Sequence, residues 1–467
     1  MNAPQRPNPI DAQRLARLRD EDARHHVHAW GNHHVLKSQG PNMIVRGQGA
    51  HIWDADGHRL IDGVAGLWCV NVGHGREEIA DAMARQAKSL GFYSSFGNLT
   101  NPAAAELAAR LVPYAPKGLS RAFFSTSGSD ANETAIRTVQ RYFAIQGKTT
   151  KRFILAREDA YHGSTYLTAS LSGRAFFPGW DAEERLIHRL STPYAYRRPE
   201  GMSVEDYADS LVREAEDTIL RLGPENVACY IAEPIMGRGV MTAPAGVHRR
   251  TREICAKYGV LYISDEVVTG FGRLGHLYAS EPVFEMTPDI LVSAKGLSSG
   301  YAPLAATYVS ETIFDVLSQP GEIYYHGFTY SGHPVACAAG LANLDIMERE
   351  NIAALVQKNG AAFKRAIEGL LDLDIVGDVR GSHYMIGIEF VADKASKRRF
   401  ADDVRVSERI SRKAYAKGLV ARAVMPECML LSPTLIMSEA DIAESAAILR
   451  ASIRETMDEV KREGLWR

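Results

Sequence analysis

A mainly parallel sheet covered by helices, with a smaller α+β domain beside it, is the α/β fold class that this sequence predicts. Three observations carry that expectation. Short apolar runs recur at Arg121–Phe124, Phe153–Leu155, Val227–Ala232, Val260–Ser264, Ile290–Ser293 and Ala305–Val309. Apolar runs without alternation mark strands buried on both faces. Stretches with helical spacing separate several of them, at 131–145, 203–222 and 246–258, which is the order of strand–helix–strand units. Beyond residue 335 the pattern changes to long helices over 336–368, strand-like runs over 375–391 and 417–436, and a closing helix over 438–460. The expected division is a large domain at 75–335 and a small one combining 1–74 with 336–467.

Residues 1–10 are rich in proline and read as an arm, and 11–24, rich in Arg, Asp and Glu, as a short exposed helix. His25, His26, His28, His33 and His34 follow. A metal cluster and a plain surface segment are the two readings. With no carboxylate or cysteine pattern alongside, the surface reading is preferred and no metal is expected. Residues 44–62 alternate apolar and polar around Asp54-Ala55-Asp56-Gly57, a β-hairpin with an Asp-Gly turn. That stretch has too few acidic positions, and no closing Glu, for a calcium loop. Ile79, Met83, Ala87 and Leu90 fall at helical spacing over 76–90, and Asn101 with Pro102 opens a helix over 102–112.

The chain has 467 residues, long enough to bury a large core without disulfides. Lys plus Arg number 54 and Asp plus Glu 56, a formal net charge of −2, so there is no net pull toward nucleic acid or an acidic membrane. Five scattered cysteines form no CxxC pair, which fits a reducing compartment. No apolar run approaches the roughly 18 residues of a membrane span. The opening residues lack a secretory h-region, and Asp11, Asp20, Glu21 and Asp22 speak against a transit peptide. A cytoplasmic protein is expected.

Three segments could carry chemistry. Phe124-Ser125-Thr126-Ser127-Gly128-Ser129-Asp130 joins a strand to a helix. Small residues there let backbone N–H groups converge on a phosphate, although an ordinary capped turn looks the same. Without Gly-Lys-Ser/Thr it is not a Walker loop. Gly259–Gly275 holds an apolar strand ending in Asp265-Glu266, then a glycine-rich turn. A carboxylate at a strand's carboxyl end can hold a cationic ring nitrogen or a metal, or merely cap a helix. Asp289–Gly300 runs a third strand into Lys295 and a Gly/Ser loop. Such a lysine is either a solvated strand end or, when desolvated, an amine able to form a Schiff base. A phosphate anchor, an acid and an amine together are what pyridoxal phosphate needs.

Asp265 and Lys295 lie in stretches by which the chain resembles the class III aminotransferases, fold-type-I pyridoxal-phosphate enzymes, and within them the ω-amino acid or amine:pyruvate transaminases. The stretches are Ala65–Gly73, Ala160-Tyr-His-Gly-Ser164, Ile231-Ala-Glu-Pro234, Asp265-Glu-Val267 with Thr269–Arg273, Ala294-Lys-Gly296 and His326–Pro334, in a resemblance running from Asp54 to Thr434. The resemblance implies Lys295 as the Schiff-base lysine and Asp265 as partner of the pyridine nitrogen. It implies phosphate binding by Gly128 and Ser129, with Thr329 reaching across from a second subunit. Tyr161 and Val267 would flank the ring, while Glu233 is left between a supporting role and an intersubunit contact. Trp68, Phe96 and Phe328 would line the substrate pocket, with Tyr161 beside them. Arg422 would pair with a substrate carboxylate and swing away when the amine lacks one.

The implied reaction is ping-pong transfer of an amino group from an ω-amino acid or amine to pyruvate. The products are alanine and an aldehyde or ketone, and the enzyme is a homodimer with shared sites. Phe92–Leu99 and Met425-Pro-Glu-Cys428 depart from the family's usual pattern, which leaves the amine donor open. An aminomutase or decarboxylase of the same family is the alternative, discriminated by its independence of a keto acid. More distant alternatives are a hydrolase using Ser127 or Ser129, which lacks a Gly-x-Ser-x-Gly elbow, and a catalytically silent relative.

Overall fold

The six apolar runs and one short amphipathic stretch line up as a single sheet. The structure, a computed structural model, describes residues 10–466. The arm expected over 1–10 therefore lies, apart from Ile10, outside the described residues. The seven strands run in the order Leu119–Ser125, Ala305–Ser310, Ile290–Ser293, Leu261–Asp265, Val227–Ala232, Phe153–Arg157 and Ile187–Leu190. All share one direction except Ala305–Ser310, which runs antiparallel to both neighbours.

Strand periodicity divides the side chains between two apolar layers. Cys229 and Ile231 face one layer with Ile263 and Val292, under Ala131, Ala135, Ile136 and Val139 of helix Gly128–Ile145. Tyr230, Ala232 and Tyr262 face the other, with Ala215 and Ile219 of helix Val204–Leu222 and Cys255 of helix Val247–Lys257. Every residue of Val227–Ala232 and Ile290–Ser293 is buried. Full burial of one Ile or Val there contributes about 1.5–3 kcal/mol.

Local capping follows the sequence closely. Asp11 and Asn101 accept N-cap bonds from Arg14 N and Ala104 N. The helix expected over 131–145 begins earlier, at Gly128, because Ser127 and Asp130 form a capping box. Helices Pro334–Arg349 and Ile352–Glu368 then lead into an antiparallel sheet ordered Val376–Ser382, Met385–Phe390, Cys428–Leu431, Arg422–Met425. The hairpin strands His51–Asp54 and Arg59–Asp62 meet the C-terminal part directly, since Leu419–Val420 pairs in parallel with Ile61–Asp62. Buried Arg273 adds a second tie, donating to Asn71 Oδ1 at 2.7 Å and to the Tyr384 carbonyl at 3.2 Å. All five cysteines are free, and no helix among the described residues is long and apolar enough to cross a membrane.

One buried histidine makes stability depend on pH. His248 is buried beneath the sheet, with Nδ1 3.0 Å from the Tyr262 hydroxyl and Nε2 3.0 Å from the Pro234 carbonyl. This suits a neutral ring that accepts at Nδ1 and donates at Nε2. Burial pushes its pKa down from 6.5 to about 4. A depressed folded-state pKa contributes stability that is present above pH 6.5 and lost as pH falls toward 4, on the order of 3 kcal/mol over that window. His248→Phe is expected to flatten the fall in urea midpoint between those limits, as measured by titrations at several pH values.

Candidate active site

The carboxyl ends of the parallel strands bring the site together, as open α/β sheets do. Asp265 ends its strand in register with Val292 of the next strand, and Lys295 follows three residues later at φ +47°. That left-handed conformation is uncommon for a lysine and strained. On the same edge, the chain leaves Leu119–Ser125 and enters the helix at Gly128.

Asp265 is buried, and its carboxylate is held on two sides. Oδ2 accepts from His162 Nδ1 at 2.7 Å and from Asn132 Nδ2 at 2.7 Å, and Oδ1 accepts from Val267 N at 3.1 Å. Asn132 in turn donates to the His162 carbonyl at 2.9 Å. Neither Asn132 nor His162 was singled out from the sequence. His162 lies inside the Tyr-His-Gly stretch, and Asn132 stands one turn after Gly128 on the inward helix face.

Lys295 is partly buried, and desolvation of its ammonium lowers its pKa. Asp265 and Glu233 oppose that fall, while Arg422 adds to it. Glu233 is buried and accepts from Tyr161 N at 3.0 Å and Gly237 N at 2.7 Å. Burial pushes its pKa up to about 7. Its contacts are supporting ones, fixing the backbone that carries Tyr161. The Tyr161 hydroxyl lies 3.0 Å from Ser164 Oγ. Arg422 is half-buried at the start of Arg422–Met425, and burial lowers its pKa while Tyr161 raises it.

The helix end is shaped to receive an anion. Ser127 Oγ accepts from Asp130 N at 3.2 Å, and the Asp130 carboxylate accepts from Ser127 N at 2.7 Å and Thr126 N at 3.0 Å. The first-turn N–H groups of Gly128 and Ser129 have no intrahelical acceptor. A Cβ on Gly128 would stand 2.9 Å from Val267 Cγ1, so only glycine lets the helix end close on that side chain. Gly128→Val is expected to overpack this contact, at a cost of about 1–3 kcal/mol in stability, and to weaken binding of the cofactor. Equilibrium dialysis of the cofactor checks it.

The hydrolase reading fails on the same contacts. Ser127 Oγ is committed to the cap and Ser129 Oγ accepts from Ser164 N at 3.0 Å. His162 pairs with Asp265 through Nδ1, and its Nε2 meets no serine among the described residues.

The remaining predicted positions fall into two groups. Trp68 is buried, at 4% exposure, in an apolar cluster with Val64, Ile235, Leu274 and Leu430. Its backbone, at φ +64°, belongs to the irregular stretch Ala65–Trp68. Phe96, Phe328 and Thr329 come together on another surface, where Phe96 lies against Gly327 and Ser95 Oγ donates to the Ser331 carbonyl at 2.6 Å. His326 links that loop to Thr134 of the helix Gly128–Ile145. Thr329 itself is exposed.

A buried carboxylate, a desolvated lysine, a bare helix N-terminus and a flat aromatic side chain form a donor set that fits pyridoxal phosphate. His162 Nε2 and Asn132 Oδ1, buried behind Asp265, have no partner among the described residues, so the polar pocket is not closed upon itself.

Known proteins point the same way. The sequence pattern of the family described as "Aminotransferase class-III" matches residues 35–453. The putrescine–pyruvate aminotransferase of Pseudomonas aeruginosa is 38% identical over 435 residues, covering 92% of this chain and 94% of that protein. An (S)-enantioselective ω-transaminase from Thermomicrobium roseum superposes with a TM-score of 0.91 at 38% identity, covering 95% and 98% of the two chains. The ω-transaminase from Pseudomonas jessenii, solved in complex with PMP, superposes at 0.92 with 32% identity, covering 95% and 99%.

Proposed function

The chain belongs to the class III aminotransferases, which depend on pyridoxal phosphate, and on that premise we propose that it transfers an amino group from an amine or ω-amino acid to pyruvate. The observation that carries the chemistry is Asp265, held by His162 and Asn132 on the strand end beside Lys295. The pyruvate acceptor is supported by the P. aeruginosa relative, whose name states it. The (S)-enantioselective neighbour supports an amine donor and the S face.

When bound, pyridoxal phosphate supplies an aldehyde that exchanges amines and a ring that accepts electrons. Gly128 and Ser129 present free N–H groups to its phosphate at a positive helix end. Asp265 would favour the protonated ring nitrogen by its opposite charge. Tyr161 and Val267 would hold the ring between them. The Lys295 amine, whose pKa desolvation lowers, would take a proton from the donor's amine-bearing carbon and return it to the carbon that carried the cofactor's aldehyde. The same amine runs the reverse transfer onto pyruvate, so the two half-reactions alternate in ping-pong order.

Trp68, Phe96 and Phe328 complete the substrate pocket in this reading, the last two together with Thr329 coming from a second copy. Support for a homodimer is the exposed apolar surface of segments 92–99 and 323–330, with Tyr93 at 56% and Tyr325 at 84% exposure. A large domain at 75–335, with a small domain combining 1–74 and 336–467, rests on the pairing of Leu419–Val420 with Ile61–Asp62. A cytoplasmic location rests on the five free cysteines.

The test is a set of assays with putrescine or 1-phenylethylamine as donor and pyruvate or 2-oxoglutarate as acceptor. Alanine formed in step with the carbonyl product supports the proposal, and glutamate in its place overturns the acceptor. Turnover without any keto acid would point to the aminomutase or decarboxylase chemistry.

Arg422 provides a sharper prediction. Arg422→Leu removes a charge-assisted pair of about 1.5–3 kcal/mol from a carboxylate substrate. The pyruvate KM is expected to rise about 10- to 150-fold, while the half-reaction with 1-phenylethylamine keeps its rate. Initial-rate and single-turnover kinetics separate the two.

A further inference from the structure

The histidine-bearing segment lies outside the transaminase chemistry, yet its side chains converge on a carboxylate that the sequence reading did not associate with it. Asp22 and His26 stand one turn apart at the C-terminal end of helix Ala12–His25. His26 Nδ1 lies 2.9 Å from Asp22 Oδ1, and His28 Nε2 lies 2.6 Å from Asp22 Oδ2. The two imidazole centroids are 4.4 Å apart, and one donor atom from each residue falls within 4.8 Å of the others. Asp22 and His28 are partly buried, whereas His26 is exposed. Two imidazole nitrogens and one carboxylate oxygen suit zinc and neighbouring transition metals, with water in the fourth position. Calcium and magnesium call for an all-oxygen shell.

This cluster has a mechanical connection to the active site. Arg19 anchors the same helix to the hairpin turn through Asp56 at 2.8 Å, and Leu15 is buried beneath it. Two residues beyond His28, Trp30 lays its ring 5.9 Å from Tyr161, 5.9 Å from Phe176 and 5.7 Å from Phe177. Trp30 holds φ +57° while 61% exposed. A bulky residue in that region is strained. A bond from the helix to His28 would fix the turn that carries it.

We propose that Asp22, His26 and His28 form a transition-metal site of the zinc class, which clamps the 26–31 turn to its helix and holds Trp30 against Tyr161. Binding replaces the hydrogen bonds between the imidazoles and the carboxylate, and each neutral ring keeps its one proton on the nitrogen that faces away from the metal.

The test uses untagged, cofactor-loaded, full-length protein and zinc alone. Equilibrium dialysis in zinc-buffered solution is compared for the parent, His28→Gln, His26→Gln and the control His34→Gln. The cofactor's visible band serves as the check on folding. One zinc per chain is expected in the parent and in His34→Gln. The dissociation constant should rise more than about tenfold in His26→Gln and His28→Gln, since even partners of metal ligands are worth that much. Hydrogen exchange over residues 26–31 should slow on adding zinc to the parent. No saturable zinc, or binding unchanged in His28→Gln and His26→Gln, overturns the site. Zinc bound without slowed exchange over 26–31 overturns the clamp.

Discussion

Lys295→Ala is expected to lower kcat by at least about 10²–10⁴-fold, the range that a positioned proton-transfer group supplies. Lys295 lies two residues past the end of Ile290–Ser293, and desolvation lowers the pKa of its amine, which favours the neutral base. Alanine removes that base and the group that secures the cofactor's aldehyde. Cofactor should therefore wash out faster on dialysis, while circular dichroism stays that of the parent. Lys295→Arg separates charge from chemistry. A guanidinium keeps the positive charge but does not give up its proton, so its activity should fall as far as that of Lys295→Ala. Added methylamine should restore part of the rate to Lys295→Ala and none to Lys295→Arg. Steady-state rates with and without methylamine check both variants.

Asp265→Asn should cost about 10²–10³-fold in kcat, the scale of removing one preorganised electrostatic contact, with KM changing much less. The charge opposite the ring nitrogen disappears. The new amide also points an N–H₂ at one of three existing donors, His162 Nδ1, Asn132 Nδ2 or Val267 N. Asp265→Glu keeps the charge and displaces it by about one methylene, and a shift near 1 Å already costs roughly 10²-fold. A merely structural role would let the glutamate recover wild-type kcat. The kcat–KM split for the two variants, measured over a range of pH, decides.

Most of the architecture was legible because burial leaves a local mark. The run Val227–Ala232 reads as a strand covered on both faces and Asn101-Pro102 as a helix start, and the structure has both. The strand Ile187–Leu190 was missed because it is short and carries His188 and Arg189 in its middle, at the sheet's edge. The antiparallel sense of Ala305–Ser310 was equally illegible, since direction is set by the connection and not by the residues.

The site divides in the same way. Lys295 and Asp265 stand at strand ends, where the sequence marks them as candidates and the family resemblance implies their roles, but Asn132 and His162 meet Asp265 from 133 and 103 residues away. Pairings at that distance leave no spacing to read. Asp22 lay within six residues of His28, yet only the turn after the helix brings the carboxylate between the two imidazoles.

The most direct test of the amino-transfer account is the visible spectrum of the purified, cofactor-loaded protein during two sequential additions. 1-Phenylethylamine without keto acid should bleach the cofactor band, and pyruvate should then restore it with one alanine formed per site. A band that persists with the amine, or that pyruvate fails to restore, would contradict an amine:pyruvate transaminase.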